Sequence, residues 1–76
     1  MEKKQFYNVA SGEMFAFNGS VFVATLDFNE DKKAYGAICV SHDFYAPYDL
    51  GTVYYFENLL EVEVIATQKI KELLDN

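Results

Sequence analysis

Apolar positions fall in short blocks along this chain, and the sharpest boundary between two blocks is Asn18-Gly19. Met14, Phe15, Ala16 and Phe17 precede it; Val21, Phe22, Val23, Ala24, Thr25 and Leu26 follow it. Asn-Gly between two apolar runs is the strongest short-range signal for a two-residue hairpin. A type I′ turn needs positive φ at both central residues, and these two tolerate it. The β-branched and aromatic content of both arms favours strand over helix. Neither arm alternates cleanly between apolar and polar, which implies that both faces are covered or that one face awaits a partner.

The other blocks fall around this hairpin. Residues 1–5 are polar and expected to fray. Phe6, Tyr7 and Val9 form a short apolar patch, read as a short strand or turn that ends in a tight turn at Gly12. Phe28–Lys33 is a polar connection with a second hairpin turn, and Ala34–Ser41 is a third strand, in which Gly36 signals a bulge or a close backbone approach. His42–Gly51 is a loop, since Pro47 cannot continue a central strand. Thr52–Glu57 is a strand. Leu60, Val62 and Val64 then alternate with Glu61 and Glu63, the mark of a half-exposed strand with its acids in solvent. Thr67–Leu74 is a short helix, extending to about residue 75, with Thr67 as its cap and Ile70, Leu73 and Leu74 as an apolar stripe. So short a helix must dock on the sheet to persist. The pattern predicts a mainly β domain over residues 1–76: a small five-stranded antiparallel barrel or curved sheet with a short C-terminal helix.

Composition adds an excess of apolar surface. Of the 76 residues, 51% are hydrophobic and 17% aromatic, which excludes disorder and exceeds what a small core hides. The excess points to a homodimer or a binding partner, with large aromatics filling the core as the alternative. In the core reading, Tyr35 and one of Tyr54 or Tyr55 face inward. The single cysteine, Cys39, can form no internal disulfide and is expected to be a buried thiol. No signal-peptide pattern and no run of about 20 apolar residues is present, so a cytoplasmic, non-membrane protein is expected.

Charge narrows the class of partner. The net charge is −6, with 12 acids against 6 basic residues, all of them lysine. Without arginine, direct nucleic-acid binding is disfavoured. From Ala34 to Gln68 there is no basic residue, while Asp43, Asp49, Glu57, Glu61 and Glu63 are acidic. Such a stretch attracts a protein with a basic surface. The same stretch holds loop aromatics: Phe44, Tyr45 and Tyr48 lie beside Asp43 and Asp49. Tyrosine gives large contact area at low entropic cost and is enriched at interfaces. The partner-binding residues are therefore read as Asp43, Phe44, Tyr45, Tyr48, Asp49, Glu57, Glu61 and Glu63.

Catalytic chemistry finds little footing. His42 and Asp43 are neighbours and would point to opposite faces of a strand. Cys39 and His42 are three apart and cannot face each other along an extended chain. The glycines do not form a phosphate loop. The expectation is a non-enzyme with no cofactor and no metal.

The run Val9-x-x-Gly12-x-x-Phe15-x-Phe17-Asn18-Gly19-x-x-Phe22 resembles the opening of small SH3-like β-barrel accessory proteins of phages and mobile elements. It covers about the first 27 residues, rests on turn chemistry and aromatics, and carries over no functional residue. The resemblance implies an SH3-like barrel and an accessory role, such as inhibition of a host defence or nucleic-acid-handling protein by surface occlusion or nucleic-acid mimicry. The alternatives are a protein that binds or sequesters a small ligand such as a nucleotide, and a homo-oligomeric structural component.

Overall fold

The computed structural model describes residues 2–42 and 46–65. Among these residues six strands form one antiparallel sheet, one more than the pattern predicts. They are β1 (Glu2–Gln5), β2 (Met14–Phe17), β3 (Ser20–Asn29), β4 (Ala34–His42), β5 (Val53–Phe56) and β6 (Glu61–Val64), in spatial order β1-β6-β2-β3-β4-β5. The extra strand is β1. Its polar residues were expected to fray, but Glu2 pairs with Val64 and Gln5 with Glu61. A strand at the margin of a sheet needs no apolar face of its own, so hydrophobic periodicity does not reveal it. The expected helix over residues 67–75 lies outside the described residues.

The central hairpin forms as the turn chemistry requires. Asn18 and Gly19 have φ of 50° and 79°, and Phe17 pairs with Ser20 across a two-residue loop.

The sheet is strongly curved and not closed into a barrel: among the described residues β1 and β5 are its two edges. On a flat sheet β2 and β5, three places apart, would be separated by about 14 Å. Yet the Phe56 ring of β5 lies 5.4 Å from Phe15 and 5.7 Å from Phe17 of β2. The inner face has folded onto itself. Irregular pairing in β3 and β4 allows the bend. Ala24 pairs with Ala37 and Phe28 with Tyr35, so Thr25, Leu26 and Asp27 oppose Gly36 alone. The Thr25 hydroxyl donates to the Gly36 carbonyl at 2.8 Å and accepts from the Asp27 amide at 3.2 Å, which fixes the bulge.

Curvature also explains the connection from β5 to β6. The Leu60 amide donates to the Glu57 carbonyl at 3.1 Å, so one tight turn carries the chain from one edge to the slot between β1 and β2. A 3₁₀ turn over Phe6–Asn8 seals this seam. Phe6 N–H donates to Leu60 O at 2.7 Å and Tyr7 N–H to Asn58 O at 3.0 Å.

Phe6, Phe15, Phe22, Phe56, Cys39 and Val62 fill the interior. Cys39 is the expected buried thiol, at 1% exposure. Val62 and Val64 face inward while Glu61 is exposed, as the alternation predicts. Tyr35 is on the inner face as expected but not in the core: it sits at the open end, its ring tilted against that of Phe28, and is 39% exposed. Gly36 answers to close approach. A Cβ there would lie 2.9 Å from Val53 Cγ1 and 3.2 Å from Tyr55 Cε1.

Two substitutions test this framework by chemical unfolding. Gly19→Val, forcing a β-branched residue to positive φ, is expected to cost roughly 1–3 kcal/mol. Gly36→Ala is expected to cost about 1–3 kcal/mol through overpacking against Val53 and Tyr55. Unchanged stability in either variant would mean that the turn or the β4–β5 packing is misplaced.

Candidate binding surface

The two sheet edges differ in chemistry. Native proteins guard edges with charge, because an edge strand offers unpaired amides and carbonyls to any passing chain. The β1 edge is guarded. It reads Glu-Lys-Lys-Gln, with Lys3 Nζ 4.0 Å from Glu61 Oε1 and Lys4 Nζ 3.5 Å from Glu2 Oε1 and 4.0 Å from Glu13 Oε2. The β5 edge reads Val-Tyr-Tyr-Phe and carries no charge.

Beside β5 lies an open groove of about 430 Å³, in the gap a closing strand would occupy. Tyr48, Tyr54 and Phe56 line it on one side, Phe17 and Leu60 on the other, and one acid, Glu57, and one base, Lys32, also border it. The tyrosines are held in place. The ring centroid of Tyr48 is 5.0 Å from that of Tyr54 and 5.1 Å from that of Phe22, both near perpendicular. The Asp49 amide donates to Tyr54 Oη at 2.8 Å. The loop before β5 is thus pinned to the strand, and both rings are half-buried, each with part of its surface in the groove.

On the outer face Tyr55 Oη donates to Asp27 Oδ2 at 2.7 Å, and Lys32 Nζ stands 5.4 Å from the Tyr55 ring centroid. The bulge therefore does a second task, since it delivers Asp27 to β5. The hydrogen bond to Asp27, then desolvation, then the carboxylate's charge raise the Tyr55 phenol above its ordinary pKa.

The sequence-predicted site residues are only partly gathered. Tyr48 and Glu57 meet at the groove. Asp49 is exposed and reaches it through its backbone. Glu61 and Glu63 lie on β6, where Lys3 is the register partner of Glu63. Asp43, Phe44 and Tyr45 lie outside the described residues. Phe17 and Leu60 are groove residues that sequence reasoning missed, since each reads locally as core. The uncharged run Val53–Phe56 was visible, but only topology identifies it as an edge.

A second groove of about 360 Å³ is lined by Ser20, His42 and Glu63 among others. Ser20 and His42 are register partners and share a face, whereas Glu63 pairs with Ala16 and lies on the other face. Nucleophilic catalysis needs all three aligned. Among the described residues no three His, Cys, Asp or Glu side chains gather as for a metal, and no helix is long and apolar enough to cross a membrane. Comparison with protein families, curated proteins and solved structures finds no match to this chain.

The Tyr55 contact makes a pH prediction. Ionising the phenol removes its donated hydrogen bond and sets two negative charges together. The contact's contribution to stability is therefore present at neutral pH and lost as pH rises above about 10. In an NMR titration Tyr55 is expected to ionise at higher pH than an unpaired tyrosine, and Asp27→Asn to bring it back down. An identical titration in the variant would remove the pairing.

Proposed function

We propose that this chain is a small acidic protein-binding module that acts by occupying a partner's surface through the uncharged β5 edge and the tyrosine-lined groove beside it. The contrast between the edge strands carries the reading: β1 carries two lysines and a glutamate, whereas β5 has no charged residue of its own and adjoins a groove bordered by Glu57 and Lys32. The matching mode is strand addition. A partner segment pairs with the β5 backbone while a side chain enters between Tyr48, Tyr54 and Leu60. Glu57 and Asp49 near the groove, with the net charge of −6, favour a basic partner and speed its approach.

The favoured form is a phage or mobile-element accessory protein that inhibits a host protein in the cytoplasm, in keeping with the resemblance of the first 27 residues. Blocking a nucleic-acid-binding surface by charge mimicry is one version of this. In the absence of the partner the same edge suits a second copy of the chain, giving a two-fold dimer. A second reading rests on the groove's volume, which falls within the range of about 300–1,000 Å³ typical of small-ligand sites. In that reading a planar ligand stacks on the tyrosines.

The test begins with a pull-down from host lysate beside light scattering of the purified chain, followed by binding kinetics on variants. Val53→Lys places a charge on the β5 edge, where its stem stays on the outer face. It is expected to weaken partner binding more than tenfold, about 1.4 kcal/mol or more, mostly through faster dissociation. Glu57→Lys is expected to slow association, with a deficit that shrinks as salt rises. Variants that bind like the parent would move the interface off this edge. A discrete complex with a co-purifying small molecule and no protein partner would favour the ligand reading.

A further inference from the structure

The end of β3 and β4 furthest from the Asn18-Gly19 turn gathers large apolar side chains in solvent. Leu26 is 80% exposed, and Tyr7 of the 3₁₀ turn is 54% exposed. With Tyr35, whose ring is braced against that of Phe28, they stand round the mouth of a cavity of about 200 Å³. Its floor belongs to the core. Phe6 and Ala24 are both buried, and the Phe6 ring lies 5.3 Å from those of Phe15 and Phe56. Val9, Ser11 and Thr25 complete the lining, and no lining residue is shared with the groove beside β5.

We propose that this cavity is a binding site for a small neutral aromatic molecule of about the size of indole. Three observations select that chemistry. The first is size. An engineered apolar cavity of about 150 Å³ takes up benzene, so the volume of about 200 Å³ admits one ring system and excludes a nucleotide or a peptide segment. The second is charge. The chain carries 12 acids and 6 lysines, yet none of the lining residues is charged. A charged ring would give up its water here with no opposite charge to replace it. The third is that the polar groups of the walls are already committed. The Ala24 amide donates to the Glu13 carbonyl at 2.9 Å, and the Ala24 carbonyl accepts from the Gly12 amide at 2.8 Å. The Thr25 hydroxyl donates to the Gly36 carbonyl and accepts from the Asp27 amide. The inner walls therefore offer apolar contact, and a single ring N–H or O–H is met at the mouth, where Ser11 is exposed.

The opposite wall is fixed as well, since the Phe6 and Tyr7 amides donate to Leu60 and Asn58. The cavity is thus formed before a ligand arrives, and a ring seated on Phe6 extends the phenylalanine cluster by one more contact. The site is separate from the β5 edge and its groove, and either reading can fail alone.

The experiment is an NMR titration of the full chain with indole, with benzoate and benzylammonium as charged single-ring comparators. Indole is expected to give saturable amide shifts centred on Tyr7, Ala24 and Leu26, with a dissociation constant below about 1 mM. Both charged rings are expected to bind at least about tenfold more weakly. Leu26→Asp sets a charge at the mouth on an exposed side chain, so it should keep the parent's unfolding midpoint and weaken indole at least about tenfold. Shifts that rise linearly without saturating would overturn the proposal, as would benzoate or benzylammonium binding as tightly as indole. Parent-like indole binding by Leu26→Asp would also overturn it. Saturable shifts centred on Tyr48 and Tyr54 instead would move the ligand to the groove and equally sink this site.

Discussion

Four phenylalanine rings govern the shape of this protein. Phe22 and Phe56 lie 5.0 Å apart, Phe15 and Phe22 5.4 Å, and Phe6 is 5.3 Å from both Phe15 and Phe56. They come from β2, β3, β5 and the 3₁₀ turn. A flat sheet could not bring them together. Each buried ring is worth roughly 1.5–3 kcal/mol, and that sum favours curling the sheet until its inner face meets itself. The bulge opposite Gly36, the missing Cβ at Gly36 and the tight β5–β6 turn are the local devices that make the curl possible. Among the described residues the unpaired β5 edge and its groove are what remains when a curled sheet stops short of closure.

Much of this was legible from the residues alone. Asn18-Gly19 dictated its turn because both residues accept the positive φ that a type I′ two-residue hairpin needs. Glu61–Val64 displayed its inward face by strict alternation, and Cys39 announced itself as core by its neighbours. β1 was not legible, because a polar edge strand is held by backbone pairing and has no period to read. Tyr35 was misplaced because a residue can sit on the inner face yet beyond the end of the core. Phe17 and Leu60 were hidden as groove residues for a related reason. Their chemistry is that of core residues, and only the curl leaves a gap between them and β5.

Charge shows the same limit of linear reading. Along the chain the acids of the second half stand apart from the lysines of the first. In the fold, β1 lies directly against β6, and Lys3 comes to rest beside Glu61 and Glu63. Part of what reads as a continuous acidic stretch is therefore locally balanced. At the tyrosine groove Glu57 and Asp49 are joined by Lys32, so the acidic stretch is partly balanced there too.

The pairing of β1 with β6 bears on how the molecule comes into being. The strands β2 to β5 form a meander of neighbours and can assemble as the chain leaves the ribosome. Val62 completes the interior only with β6, and β1 has no strand to pair with until β6 is made. Until then β2 is a bare edge open to other chains. The pairing that completes the sheet is also the one that spans the greatest separation in sequence. Such contacts form slowly. Synthesis of this protein therefore passes through an interval of adhesive, half-built sheet, ended in one stroke when the last strand slides between the first two.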